Sequence, residues 1–319
     1  MRLAEDLGLR VGTLDLDEAL PAPPPGDPHE LDVVRVMHPP AERWPDLVRA
    51  GFTLKPGWVT WLRGTPQSDE AYLGGLSVSE RRAFRKALRY GADAAVRMEV
   101  HHPITERAYD DFLRLYVDAI ARMRRGRNYA ESLRDTILAA PGTSIAVIAY
   151  VEGRQAGACV CQLQQNGSTV YVRYIVTEPE ARRAGLSRLI YLRVFEVARE
   201  LRRDLVSLGS DPTLYGHFCE PGLFGFKRGM GFLPVPSHAF MPGNGWNEAE
   251  LVLSLDRLPD PSFSLCYDLS REAVPVPWCQ DGVTAPPLRG DVLSAKSEVD
   301  VRPFQAGFLT DVRSKVLRP

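Results

Sequence analysis

The apolar pattern of this chain predicts an α/β fold of the α+β kind, with helices flanking a mixed, mostly antiparallel sheet. Two observations carry that prediction. First, the β-prone runs 145–151, 158–164 and 169–176 are separated by Glu152-Gly153-Arg154 and by Asn166-Gly167, which are turn formers, so the three runs are expected to pair as an antiparallel meander. Second, the segment 187–203 carries Ile190, Val194, Val197 and Leu201 at helical spacing and is followed by the short apolar run 205–208. A strand, a helix and a strand in that order predict a parallel pair joined by a helical crossover.

The remaining elements follow from local signals. Residues 1–30 end in the proline-dense stretch Pro21–Pro28, which is expected to be an extended linker, with the first packed element after it. Val33, Val34, Val36 and Met37 predict a strand, 41–50 a short helix bearing Trp44, Leu47 and Val48, and 58–62 another strand. Ser77-Val78-Ser79-Glu80 has the spacing of a capping box, so a helix is expected over 77–91 with Phe84, Ala87 and Leu88 inward and Gly91 as its stop. Its opposite face is basic: Arg81, Arg82, Arg85, Lys86 and Arg89. A helix over 105–125 buries Phe112, Leu113, Tyr116, Ile120 and Met123, and a second runs from the Asn128 cap to Pro141-Gly142. The connection between them carries Arg122, Arg124, Arg125 and Arg127. The run 251–255 is expected to complete the sheet. Beyond Asp256, recurring prolines interrupt periodicity until a final element around 308–316. The expected division is therefore 1–30, 31–75, 76–255 and 256–319.

Composition narrows the function classes. With 319 residues, 45% hydrophobic and 25% charged, the chain has the make-up of a globular protein with room for one large or two modest domains. No apolar run approaches the roughly 20 residues that span a bilayer, and MRLAEDLGLR lacks the pattern of a signal peptide, so the cytoplasm is the expected location. A formal net charge of −1 argues against a surface that grips nucleic acid everywhere. The five cysteines are odd in number and have no repeating spacing, which predicts free thiols. Cys219, His217, Cys266 and Cys279 lack paired ligand spacing, so no metal is expected. Cys159 and Cys161 alternate onto one face of their strand and are expected to pack in the core.

The chemistry is expected around the crossover. Arg182-Arg183-Ala184-Gly185-Leu186-Ser187 lies where the helix begins, and first-turn N–H groups without internal partners can cradle a phosphate. Gly185 would allow close approach of a pyrophosphate, and Ser187 would cap the helix. Downstream, Tyr215, His217 and Glu220 are residue types that can donate or accept a proton.

The spacing Arg182-x-x-Gly185-x-Ser187 between strand and helix resembles the pyrophosphate loop of the GNAT superfamily of N-acetyltransferases, Q/R-x-x-G-x-G/A, with Ser187 in the last small position. Gly231-Phe232 after a short helix resembles that superfamily's second signature. Acetyl-CoA enzymes often carry a tyrosine four residues before that glycine; this chain has Lys227, and Phe226-Lys227 followed by Gly231 resembles the FemAB-like branch. The resemblance spans residues 75 to 235. It implies a GNAT fold whose central parallel strands splay apart, with 31–75 as a reduced N-terminal GNAT-like lobe. It also implies an acyl-CoA donor held by residues 182–187, a main-chain N–H near Val176 that polarises the donor carbonyl, and Lys227 as a cation at the donor end. The acceptor would be a small-molecule or peptide-like amine. Two other readings stay open: an aminoacyl-tRNA donor, to which the basic helix would be suited, and a non-catalytic ligand-binding module on the same fold.

Overall fold

The computed structural model describes residues 1–6, 8–20, 30–123, 126–164 and 167–317. The proline-dense stretch Pro21–Pro28, Arg124, Arg125 and Asn166 lie outside them. The chain forms two compact units: residues 1–61, 210–228 and 233–319 make one, and 62–209 with 229–232 make the other.

The second unit holds the meander and the crossover. Arg97–His101, Ser144–Val151, Arg154–Leu163 and Thr169–Thr177 pair antiparallel in that order, and Leu205–Pro212 joins Thr169–Thr177 in parallel. Alternation along Arg154–Leu163 separates two faces. Ala158 and Val160 pack in a cluster with Phe112 and Tyr116 of the helix Glu106–Ala121, whereas a Cβ on Gly157 would lie 3.0 Å from Ile190 of the helix Leu186–Glu200. The sheet is thus covered on both sides, which is why its strands read as nearly continuous apolar runs. Phe112, Tyr116 and Tyr174 form the aromatic centre of the first layer, with centroids 5.0 to 5.7 Å apart. The helix Val78–Asp93 packs outside Leu186–Glu200. Ser77 caps it by accepting from the Glu80 N–H. It continues past Gly91, the expected stop, because that glycine serves contact: a Cβ there would lie 2.9 Å from Leu189. The expected helix from Asn128 to Pro141 is broken into Tyr129–Ser132 and Arg134–Ala139.

In the first unit, three expectations are corrected. Packing begins before the proline-dense stretch, with the antiparallel strands Arg2–Asp6 and Leu9–Leu14, whose Leu9, Val11 and Leu14 are buried. The expected strand 251–255 is realised only at Leu251 and Val252, the end of Asn247–Val252, and that strand does not complete the meander sheet; it lies between Val33–Met37 and Thr53–Pro56, antiparallel to both. The tail is ordered as sheet: Ser262–Tyr267 pairs with Leu214–Tyr215 and Leu288–Ser294, and Val312–Val316 runs parallel to the last of these. Its prolines fall mostly between the strands rather than within them, so they hid elements they do not interrupt.

Candidate functional site

In the second unit, the parallel pairing of the crossover lasts three residues: Leu205 with Thr169, Val206 with Val170, Ser207 with Tyr171. Both strands continue beyond it, to Thr177 and Pro212. Gly209 has φ +79° and its N–H turns back to the Ser207 hydroxyl at 3.2 Å, so the second strand leaves the ladder there. On the other edge of Thr169–Thr177, Val160 opposes Tyr174 and Cys161 opposes Val172, which makes Arg173 the extra residue of a β-bulge. Bulge and divergence coincide. Main-chain groups from Val172 onward therefore lie where the parallel ladder has ended and a ligand can pair with them. Val176, the residue expected beside that edge, lies four positions further on, buried in the aromatic layer.

Part of the expected phosphate loop spends its amides within the chain. Pro179, at the first position of a helix, starts the short turn Pro179–Ala184, because its fixed φ suits that place. The Arg182 N–H donates to the Glu178 carbonyl at 2.8 Å, the Gly185 N–H to the carbonyls of Ala181 and Arg182, both at 3.0 Å, and the Arg188 N–H to Gly185 at 2.9 Å. Gly185 has φ +106°, ends one helix and begins the next, and a Cβ on it would lie 2.7 Å from the Ala87 Cβ. Its glycine character is needed for backbone turn and helix packing. Ser187 does not cap the helix; it lies inside Leu186–Glu200 and its hydroxyl shares a hydrogen bond with Thr177 at 3.1 Å. Leu186 is buried and Ala184 half-buried.

Beside this junction is a cavity of about 500 Å³, bordered by the C-terminal end of Glu106–Ala121 and by the turn after Thr177. Its charged lining consists of Arg122, Arg182 and Arg183 together with Asp118, Glu178 and Glu180, and Val176 forms part of the wall. The Arg182 guanidinium reaches the Thr177 carbonyl at 3.4 Å. Among the described residues, none of the three arginines has a carboxylate within 4.0 Å. The sequence singled out Arg182 and Arg183 for their main-chain amides; the structure presents their side chains.

The four candidate acid–base residues belong to the first unit. Lys227 was expected to point into a cleft from a helix whose apolar face came from Leu223, Phe224 and Phe226. Instead Lys227 is buried beside Phe224, while Leu223 and Phe226 are half-buried. Its Nζ donates to Asp211 at 2.7 Å, with 7% and 6% of the two side chains exposed. The Tyr215 hydroxyl donates to the other Asp211 oxygen at 3.1 Å and accepts from Trp61 Nε1 at 3.0 Å. The Nζ also lies 6.0 Å from the centre of the Trp61 ring, a cation–π contact in a dry setting. Burial, and then the Asp211 charge, push the Tyr215 phenol well above its ordinary range. The same two causes raise the Cys219 thiol. A phenol so placed holds its proton and is poorly suited to protonate a leaving group. His217 is buried and Glu220 is exposed. Lys227 and Tyr215 thus meet at Asp211, a residue that sequence spacing does not single out because it stands sixteen positions from Lys227 and on a different element.

Cys159 and Cys161 are buried with Sγ atoms 3.6 Å apart. Among the described residues, no group of three or more His, Cys, Asp and Glu is placed to hold a metal ion, and no helix is long and apolar enough to cross a membrane.

No family model and no curated protein sequence matches this chain. Solved structures to which it is similar include FemX, at 11% identity over 70% of this chain and 73% of that one, TM-score 0.46. Another is L-PGS from Bacillus licheniformis, at 10% identity over 68% and 67%, TM-score 0.40. A third is a tandem GNAT protein from the clavulanic acid biosynthesis pathway, at 15% identity over 70% and 65%, TM-score 0.38. These are likenesses in chain path, and no residue role passes from them to this protein.

Proposed function

We propose that this protein is a GNAT-type N-acyltransferase that moves an acyl group from acyl-CoA to an amine of a small-molecule or peptide-like acceptor. The observation that carries this reading is the divergence of the parallel strands after Tyr171 and Ser207, beside a bulge and next to an arginine-bearing cavity. An acyl donor supplies an activated carbonyl. The unpaired edge beginning at Val172 offers main-chain N–H groups of the kind that stabilise charge developing on such an oxygen. Arg122, Arg182 and Arg183 offer guanidinium groups to the phosphates, a task that the amides of Arg182 and Gly185 cannot share while bonded to carbonyls. The cavity volume falls within the roughly 300–1,000 Å³ typical of small-molecule sites. In this scheme the Asp211, Tyr215 and Lys227 cluster is a structural clamp.

One observation favours an aminoacyl-tRNA donor instead. Arg82, Arg85, Lys86 and Arg89 share the face of Val78–Asp93 opposite the buried Phe84 and Ala87, all are exposed, and among the described residues none has a carboxylate within 4.0 Å. Calorimetry with CoA and acetyl-CoA on the purified protein tests the first reading. Arg183 is exposed, so Arg183→Glu should weaken binding by about tenfold while leaving the melting temperature unchanged. Unchanged affinity in Arg183→Glu would remove the cavity from the donor site. RNase-sensitive product formation without CoA would establish the tRNA reading, and ligand binding with no transfer from either donor would leave a binding module.

A further inference from the structure

We propose that Arg173 forms a carboxylate-binding subsite, so that the acceptor is an amine that also bears a carboxylate. Arg173 is half-buried at the bulge of Thr169–Thr177, where the parallel ladder has just ended. Its guanidinium is fixed by neutral partners. Nη1 donates to Gln162 Oε1 at 2.8 Å and Nε to the Tyr174 hydroxyl at 3.2 Å, and its carbon stands 5.7 Å from the centre of the Tyr174 ring. That ring is itself held by Phe112 and Tyr116, so the cation rests on the aromatic layer of the core.

Among the described residues the charge has no counterion. In the same unit Arg134 meets Asp110 at 2.9 Å, Arg188 meets Glu80 at 3.0 Å and Arg199 meets Asp69 at 2.8 Å, whereas the half-buried Arg63, Arg81 and Arg203 donate instead to main-chain carbonyls. Among the described residues no carboxylate comes within 4.0 Å of Arg173. A half-buried guanidinium whose hydrogen bonds go to neutral acceptors keeps an unneutralised charge, which an incoming anion would meet with a stronger, charge-assisted bond. Of the anions available to a transferase, a planar carboxylate matches one braced guanidinium, which presents parallel N–H donors in a rigid fork. Phosphates are better served by the three arginines of the cavity. The bulge and the end of the parallel ladder lie on opposite edges of one strand at the same level, so a carboxylate held here would set its amine near the reacting carbonyl.

The placement of the acceptor near the reaction rests on the acyltransferase reading, but carboxylate binding does not, and the experiment separates them. Calorimetry on the full-length protein without donor would compare paired probes, free amino acids and dipeptides such as alanyl-alanine against their C-terminal amides. Wild-type protein should bind the carboxylate members of at least one pair about tenfold to a hundredfold more tightly. Arg173→Gln should abolish that preference, and Arg173→Lys should recover only part of it. Circular dichroism would check that both variants fold. A measurement that needs no variant is the Arg173 Nε–Hε resonance of the wild type, which should shift with the acid and not with its amide. Equal binding of acid and amide throughout the panel, or a preference that survives Arg173→Gln, overturns the subsite. Carboxylate preference without transfer from any donor leaves the subsite standing and sinks the acyltransferase reading instead.

Discussion

Removing the Lys227 ammonium should destabilise the first unit strongly. The pair is almost dry, with 7% of Lys227 and 6% of Asp211 exposed, and in Lys227→Met the Asp211 carboxylate would lose its cation while still accepting from the Tyr215 hydroxyl at 3.1 Å. Loss of one member of a buried ion pair costs about 3–5 kcal/mol, because the remaining charge is uncompensated. Methionine fills much of the lysine volume, so little of that loss comes from a cavity. Adding Asp211→Asn removes the stranded charge while keeping an acceptor for Tyr215, so the double variant should regain about 2 kcal/mol through the coupling expected of contacting residues. Urea denaturation followed by tryptophan fluorescence suits the test, since Trp61 lies against the pair. A Lys227→Met protein within about 1 kcal/mol of wild type, or a coupling below about 0.5 kcal/mol, would refute the clamp.

Other outcomes follow from the same kind of geometry. Gly185→Ala should cost about 1–3 kcal/mol with no ligand present, from the φ of +106° and the 2.7 Å approach to Ala87, and Ala87→Gly should recover the part due to contact; thermal unfolding of the two single variants and the double checks this. Burial raises the Glu250 carboxyl, but Lys55 and Arg35 outweigh it and hold its pKa at about 2, below the unfolded 4.5. Its stabilisation is therefore present above about pH 4.5 and lost as pH falls toward 2, and Glu250→Gln should flatten that part of an acid-unfolding curve. Cys279 is the only cysteine not buried, so a thiol reagent should label it first in the native protein, with the other four reacting after denaturation.

The antiparallel meander and crossover were legible because their signals are local: β-prone runs between turn formers, then one apolar helical stripe. Ser77 caps its helix as its spacing suggests. What escaped was non-local. The run 251–255 reads as a strand, but the strand is Asn247–Val252 and pairs with residues some two hundred positions earlier, a partner that nothing in its alternation names. The tail strands Ser262–Tyr267 and Leu288–Ser294 are short and set among prolines, so pattern alone did not separate them from loop. At the candidate site, Arg182, Arg183 and Gly185 were found by spacing, but spacing did not tell main-chain from side-chain chemistry. Arg173 was missed because a bulge depends on the register of two strands, which becomes visible only once they are paired.

Gly185 and Lys227 carry most of the family resemblance, yet each has a sufficient packing reason. Gly185 lets two helices meet Ala87, and Lys227 neutralises a buried carboxylate. A substitution at either position would damage the fold whether or not the protein binds a donor, so loss of activity there would say little about chemistry. The arginines are different. Arg182 and Arg183 are exposed and Arg173 is half-buried, and among the described residues none is neutralised by a carboxylate within 4.0 Å. Folding gains little from a surface guanidinium that has no ion pair. Their value must therefore be sought in what they hold, and charge reversal at Arg183 with charge removal at Arg173 can report on binding without first unravelling the unit that presents them.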